Sequence, residues 1–219
     1  MGEIATPSYF YRIEGTVPGD LRLIHVTSRP IQEQEVSMPP YRELDPTTLR
    51  RARAGKRSAQ AALVRCYKAR VHALVARVLV AAPCDVDDVV QDTFVRAIRA
   101  LSRYRPEARL STWLLTIATR ASLDQLRRNR RSWHREHESE AADPRLDARI
   151  DAARLHDRVV AEMAALPDDQ RAALVLRAFH DLDYPEIAAA LGVEVGTVKS
   201  RIGRARAALR RATQEPVHD

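Results

Sequence analysis

The sequence predicts an all-α protein made of two small helical domains joined by a flexible linker. Three observations lead there. Ala and Arg are abundant, while only seven glycines occur in 219 residues, a composition that favours helix. Apolar residues recur every three to four positions in one segment after another. Between about Ser132 and Arg149 that periodicity stops, and Glu136, Glu138, Glu140, Asp143 and Pro144 form an acidic, polar stretch with the composition of a tether. Aromatic residues are few, so the cores are expected to consist of Leu, Val, Ile and Ala.

Residues 1–45 form an N-terminal extension with no helical period, punctuated by Pro7, Pro18, Pro30, Pro39 and Pro40. Tyr9, Tyr11 and Ile13 alternate, as do Leu21 and Leu23, around Pro18-Gly19; the expectation is a disordered tail, with a short hairpin as the alternative. Met38 stands just before the first well-patterned residues and is a candidate start. An intact mass that includes Met1 would exclude it.

The first helical domain covers 46–131. A short helix is expected over about Pro46 to Ala54. A longer one follows from about Ser58 to Val80, with Leu63, Tyr67, Val71, Leu74, Val78 and Leu79 turned inward; Pro83 ends that run. The third, about Val86 to Leu101, buries Val86, Val90, Thr93, Phe94, Ala97, Ile98 and Leu101. Ser102 to Leu110 reads as a polar loop. Ser111 is placed to cap a fourth helix whose core side is Trp113, Leu114, Ile117, Ala118 and Leu123. After the linker, 132–149, the second domain covers 150–213. One helix carries Leu155, Val159, Met163 and Leu166; Pro167-Asp168-Asp169 opens another with Ala172, Leu174, Val175 and Phe179.

The last two helices form a helix-turn-helix pattern. Ile187, Ala188 and Leu191 share one face, Ala188 being small where a second helix passes close. Gly192 follows where a turn needs a left-handed backbone. Val198, Ile202, Ala205 and Leu209 then make an apolar stripe, while Lys199, Arg201, Arg204, Arg206, Arg210 and Arg211 lie mostly off it, with no acid between Val195 and Ala212. Such a helix buries one side and offers cations to a phosphate backbone and a major groove with the other.

The net charge of +7 is unevenly spread. From Leu49 to Arg131 there are nineteen Arg and Lys against six Asp and Glu, whereas the first 48 residues and Ser132 to Val160 are each slightly acidic. Two basic blocks separated by an acidic connector suit a polyanion gripped at two places. A membrane surface is the weaker candidate, because the basic helices carry Ala and Val in place of the Trp, Phe and Leu of interfacial helices. No run of eighteen apolar residues and no signal-like N-terminus is present, so a soluble, cytoplasmic protein is expected, without direct membrane insertion. Cys66 and Cys84 are too few for a disulfide framework and lack metal-ligand spacing; Cys66 is expected to be a small core residue.

Three strings carry a family resemblance. Asp85-Val-Asp-Asp-Val-Val-Gln-Asp-Thr-Phe94 resembles the second region of bacterial sigma factors. Tyr104-Arg-Pro-Glu-Ala-Arg-Leu-Ser-Thr-Trp-Leu114 resembles their promoter-melting segment. Leu166-Pro-Asp-Asp-Gln-Arg171 with Gly196-Thr-Val-Lys-Ser-Arg-Ile202 resembles the fourth region. Order and spacing are similar to those of the compact extracytoplasmic-function group of the sigma-70 family, over about Pro46 to Arg211. The resemblance implies a dissociable subunit that lets core RNA polymerase find and melt promoter DNA.

The resemblance also implies sites. Asp88, Gln91, Asp92 and Phe94 would dock on the coiled coil of the polymerase β′ subunit, with Phe94 more a core residue than a contact. Tyr104, Arg105, Arg109, Ser111, Trp113 and Arg120 would handle the −10 element and single-stranded DNA. An aromatic loop with cations has the chemistry for this, since stacking is worth roughly 1–3 kcal/mol per base. Tyr104 is the expected contact and Trp113 the expected core residue. Where similar proteins often carry Ile-Ala-Arg-Asn, this chain has Ile117-Ala118-Thr119-Arg120, so a −10 preference does not transfer. Thr197, Lys199, Ser200, Arg201 and Arg204 would read the −35 element. Similar proteins are commonly held by anti-sigma partners.

No catalytic, cofactor or metal site is expected, nor a small-molecule substrate. Gly55-Lys56-Arg57-Ser58 has Arg50 where a phosphate loop needs its first glycine. His134 and His137 lack a partner ligand set, and Asp87 and Asp88 face different sides of their helix. A stand-alone helix-turn-helix regulator is the rival reading. The acidic Asp85–Asp92 face and the Tyr104/Trp113 segment argue against it, because a duplex-binding repressor needs neither.

Overall fold

A computed structural model describes residues 43–82, 84–136 and 151–214. The expected tail or hairpin before Glu43, Met38, and the connector beyond Glu136 lie outside these residues. Among them are eight α-helices and no strand: α1 Pro46–Arg53, α2 Arg57–Val78, α3 Val86–Ala100, α4 Leu110–Glu136, α5 Asp151–Ala165, α6 Asp168–His180, α7 Tyr184–Leu191 and α8 Val195–Gln214. A single 3-10 turn, Leu101–Arg103, follows α3.

Local chemistry sets the ends. Asp45 caps α1, its carboxylate accepting from the Thr48 N–H at 2.8 Å, with Pro46 in the first turn where its missing N–H costs nothing. Asp85 caps α3 in the same way through Asp87 N–H. α7 begins with a reciprocal capping box: Asp183 accepts from Glu186 N–H at 2.7 Å and Glu186 accepts from Asp183 N–H at 2.9 Å. It ends at Gly192, whose φ of 67° is the left-handed turn the sequence anticipates. α6 ends on Asp181, a non-glycine residue at φ 53°.

α4 starts two residues earlier than a Ser111 cap implies, at Leu110, so Ser111 lies inside its first turn. It also runs on to Glu136, past the expected end at 131, because Ser132 to Glu136 contain no helix breaker.

The first four helices pack around Leu63, Tyr67, Val71, Leu74, Phe94 and Leu114; α5 to α8 pack around Leu174, Leu176, Ile187, Val198 and Ile202. The two groups are in direct contact through α2 with α6 and α4 with α7. The burial pattern explains why. Arg171 to Leu176 are six consecutive buried residues, so α6 is covered all round. On α4 the buried residues Leu114, Leu115, Ala118, Thr119, Ala121 and Ser122 form a band wider than one stripe, with neighbours on two sides.

Cys66 is exposed, contrary to its expected place in the core; it lies on the outer side of α2, next to the buried Tyr67.

Candidate nucleic-acid interface

The 3-10 turn ends on the exposed Arg103, and the loop from there to α4 carries two more exposed cations, Arg105 and Arg109. Tyr104, the expected contact, is the buried aromatic, whereas Trp113, the expected core residue, packs against the core but is only half-buried. Tyr104 is only 5 % exposed, and its hydroxyl donates to the Ala108 carbonyl at 2.6 Å, closing the loop on itself. Burial pushes its phenol pKa up, and the Glu43 charge adds to that. Trp113 is the half-buried ring, 5.2 Å from Tyr104 between centroids and tilted by 53°. The inward turn of Tyr104 supplies a floor, and Trp113 is the aromatic with surface to offer. Ser111 is 2 % exposed, and its hydroxyl donates to Glu43 Oε1 at 2.5 Å, so its side chain faces protein.

Arg120 leaves the expected DNA side. Its Nε donates to Ala190 O at 3.2 Å and its Nη2 to Ala189 O at 3.0 Å, placing the guanidinium at the C-terminal end of α7. A cation there satisfies carbonyls that the helix cannot and meets the negative end of its dipole. Thr112 donates to Glu186 at 3.1 Å at the other end of the same short helix.

In the helix-turn-helix, Val198, Ile202 and Ala205 are buried and Leu209 half-buried, as the stripe requires. Lys199, Ser200 and Arg204 are exposed on the opposite side of α8. Thr197 is half-buried in the first turn, where its carbonyl accepts from Ser200 Oγ at 2.9 Å. Lys199 Nζ lies 5.8 Å above the Tyr184 ring. Arg201 is bound: its Nη2 reaches Asp169 Oδ2 at 2.7 Å, tying α8 to the start of α6. Arg206 is partly covered, and burial pulls its guanidinium pKa down.

The acidic face of α3 is narrower than the sequence suggests. Asp88 and Gln91 are exposed, but Asp92 pairs with Arg96 at 2.7 Å, and Arg96 also reaches Asp124 of α4 at 3.2 Å. Spacing of four residues makes the Asp92–Arg96 pair a standard helix contact. Phe94 is buried at 5 % exposure, so it is core.

Two functional-looking residues escaped the sequence reading. Arg171 is 1 % exposed and donates to Val78 O at 2.8 Å, to Met163 O, Ala164 O and Leu166 O, and to Asp168 at 2.6 Å. Its spacing with Leu174 and Val175 on the inner face of α6 is the signal in the sequence, and the usual surface position of arginine hides it. Glu43 joins Tyr67 and Ser111, and no local pattern marks it.

These parts define a class: a helical protein with a basic loop in one helical group and a cation-bearing helix-turn-helix in the other. Sigma-70 region 2 matches residues 63–132, and Sigma-70 region 4 matches residues 156–209. The chain is 37% identical over 153 residues to the ECF sigma factor SigE of Mycolicibacterium smegmatis, covering 68% of this chain and 59% of that one. It is 33% identical over 179 residues to the ECF sigma-E factor of Escherichia coli, covering 75% and 92%. A solved structure of the sigma factor RpoE with the anti-sigma factor NepR from Bartonella quintana superposes with a TM-score of 0.53 at 26% identity, over 69% of this chain and 96% of that one. This chain belongs to the extracytoplasmic-function group of the sigma-70 family. Among the described residues, no helix is long and apolar enough to cross a membrane.

Proposed function

We propose that this protein is a promoter-specificity subunit, dissociable and not itself an enzyme, that binds core RNA polymerase in the cytoplasm and directs it to −35 and −10 elements. The observation that carries the reading is the pair of cationic surfaces on two helical groups, each within its own family segment. In this reading 46–131 is the polymerase-binding and melting domain, 132–149 the linker and 150–213 the −35 domain. Asp88 and Gln91 offer the exposed acidic and polar contacts to the β′ coiled coil, and Asp92 joins them by exchanging Arg96. Trp113 holds an unpaired base over Tyr104, while Arg105 and Arg109 neutralise the strand. Ser111 acts from beneath by fixing the first turn of α4. Arg120 reaches DNA only after leaving α7. Lys199, Ser200 and Arg204 enter the major groove, Thr197 lies at its edge, and Arg201 joins them when Asp169 releases it. By analogy with the Bartonella quintana complex, an anti-sigma factor is the expected inhibitory partner.

The test is transcription in vitro. Purified protein and sigma-free core polymerase are incubated with sheared genomic DNA, and transcript starts are mapped by sequencing. Starts sharing −35 and −10 motifs, absent without the protein and lost with Asp88→Arg/Asp92→Arg, are the expected result. DNA binding without new starts would favour a stand-alone helix-turn-helix regulator.

A further inference from the structure

Glu43 lies twenty residues before the first family segment, which begins at residue 63, yet it holds the start of α4. Its Oε2 accepts from the Tyr67 hydroxyl at 2.5 Å and its Oε1 from the Ser111 hydroxyl at 2.5 Å. Both donors are 2 % exposed, one in the middle of α2 and one in the first turn of α4. The neighbouring Leu44 N–H donates to the same Tyr67 oxygen at 3.0 Å. Hydroxyl-to-carboxylate bonds of this length are the strong, charge-assisted kind.

Electrostatics favours the same placement. α4 has no acid in its first turn, so nothing of its own complements the positive end of its dipole. Glu43 brings a carboxylate to that turn from elsewhere in the chain. It also lies close enough to Tyr104 for its charge to help raise that phenol's pKa. One side chain therefore touches α2 and α4 and acts on the loop between α3 and α4. Trp113 is two residues beyond Ser111, and its ring rests against Tyr104.

We infer that Glu43 is a positioning residue for strand separation: it sets the first turn of α4 so that Trp113 and the Tyr104 loop present a preformed surface to the unpaired strand. The inference rests on the proposed reading that Trp113 and this loop hold that strand. Preorganisation matters because a flexible loop would have to be ordered at the moment of melting, at the expense of the opening rate. The Tyr67 hydroxyl is a second arm of the clamp, so Tyr67→Phe loosens it while leaving the ring in the core.

The experiment uses the full chain assembled with core polymerase on a promoter identified by the transcription test, with 2-aminopurine in the −10 region reporting opening. Glu43→Ala and Glu43→Gln should open the promoter about tenfold more slowly. Core affinity and closed-complex binding should be unchanged, and Glu43→Asp should recover part of the rate. Tyr67→Phe should show a smaller loss in the same direction. In a Trp113→Ala background, Glu43→Ala should add nothing, since the two act through one surface. If Trp113→Ala opens the promoter at the wild-type rate, the reading of the strand site fails. If Trp113→Ala slows opening and Glu43→Ala does not, the positioning role fails alone. Losses in core binding, closed-complex binding and opening that all track a lower melting temperature would reduce Glu43 to a structural residue, and would overturn the inference.

Discussion

Arg171 shows how much one buried charge can organise. The last carbonyls of α5 have no partner within the helix, and the guanidinium satisfies three of them in that turn and linker while a fourth bond crosses to Val78 of α2. Asp168 balances its charge. Removing such a group leaves four buried or part-buried carbonyls without their donor and Asp168 with Arg130 alone. Arg171→Met should therefore cost about 3–5 kcal/mol and lower the melting temperature by roughly 10 °C, read by thermal unfolding. Arg171→Lys should lose most of the same stability, because an ammonium cannot fan out to acceptors on three sides. His180 is the opposite case. It is 3 % exposed with neither ring nitrogen partnered, and burial, then Arg70 and Arg77 of α2, push its pKa down to about 3. Unfolded, the imidazole titrates near 6.5. Between those values the unfolded chain binds a proton that the folded chain does not. This contribution to stability is complete above about pH 6.5 and falls as acid approaches pH 3, on the order of 1 kcal/mol per pH unit. His180→Leu should match or exceed the wild type at pH 7 and lose less stability between pH 6 and 4, measured by urea unfolding at each pH. An equal acid slope for both proteins would show that His180 is not the titrating group.

At the scale of the element, α8 separates sequence choice from plain attraction. Arg201 borders the buried stripe of α8 and is held by Asp169, while Arg210 is an exposed residue near the far end of the helix. Arg201→Ala should change preference among −35 variants, a good base contact discriminating by about 1–3 kcal/mol. Arg210→Ala should weaken binding to all of them and flatten the salt dependence by about one unit of slope. Equal losses on every promoter for both variants would contradict this division of labour, checked by titrating labelled −35 duplexes at several salt concentrations. The same helix was legible from the sequence because its signals are local: an apolar repeat, a turn glycine and a run without acids. α2, α3 and α6 were legible for the same reason. Tyr104 was not legible, because an aromatic in a polar loop gives no local sign of which way it turns; its hydroxyl finds the Ala108 carbonyl only once the loop has closed. Ser111 was misread because a Ser at a helix start is normally a cap, and here its hydroxyl has a stronger acceptor in Glu43.

For the whole molecule, the decisive feature is the contact between the two helical groups. A tether alone would leave them independent. Instead Arg120 binds the last carbonyls of α7, Thr112 binds Glu186, Arg70 donates to the His180 carbonyl at 3.3 Å, Arg171 reaches Val78, and Arg130 pairs with Asp168. The −35 and −10 elements lie about 25 base pairs apart, roughly 85 Å along the duplex at 3.4 Å per pair. A compact body the size of the two helical groups together has a radius of gyration of about 15 Å, hence a diameter of roughly 40 Å. One docked body cannot touch both elements of a straight promoter, so engagement of both requires the groups to part. Docking then competes with promoter binding, and its strength sets how much of the protein is ready. A change of 1.4 kcal/mol in docking shifts that ratio about tenfold, a size within reach of one or two arginine–carbonyl bonds. Arg70→Ala/Arg120→Ala should therefore shift the free protein toward the parted state. The shift is readable by energy transfer between dyes on the exposed Cys66 of α2 and an introduced Ala161→Cys on the exposed side of α5, in a Cys84→Ser background. The double variant should show lower transfer efficiency than the wild type, and core polymerase added to the wild type should move it in the same direction. Unchanged efficiency in the variant would mean that apolar packing of α2 on α6 holds the groups together without these bonds. High efficiency retained with core polymerase and promoter present would refute the parting itself.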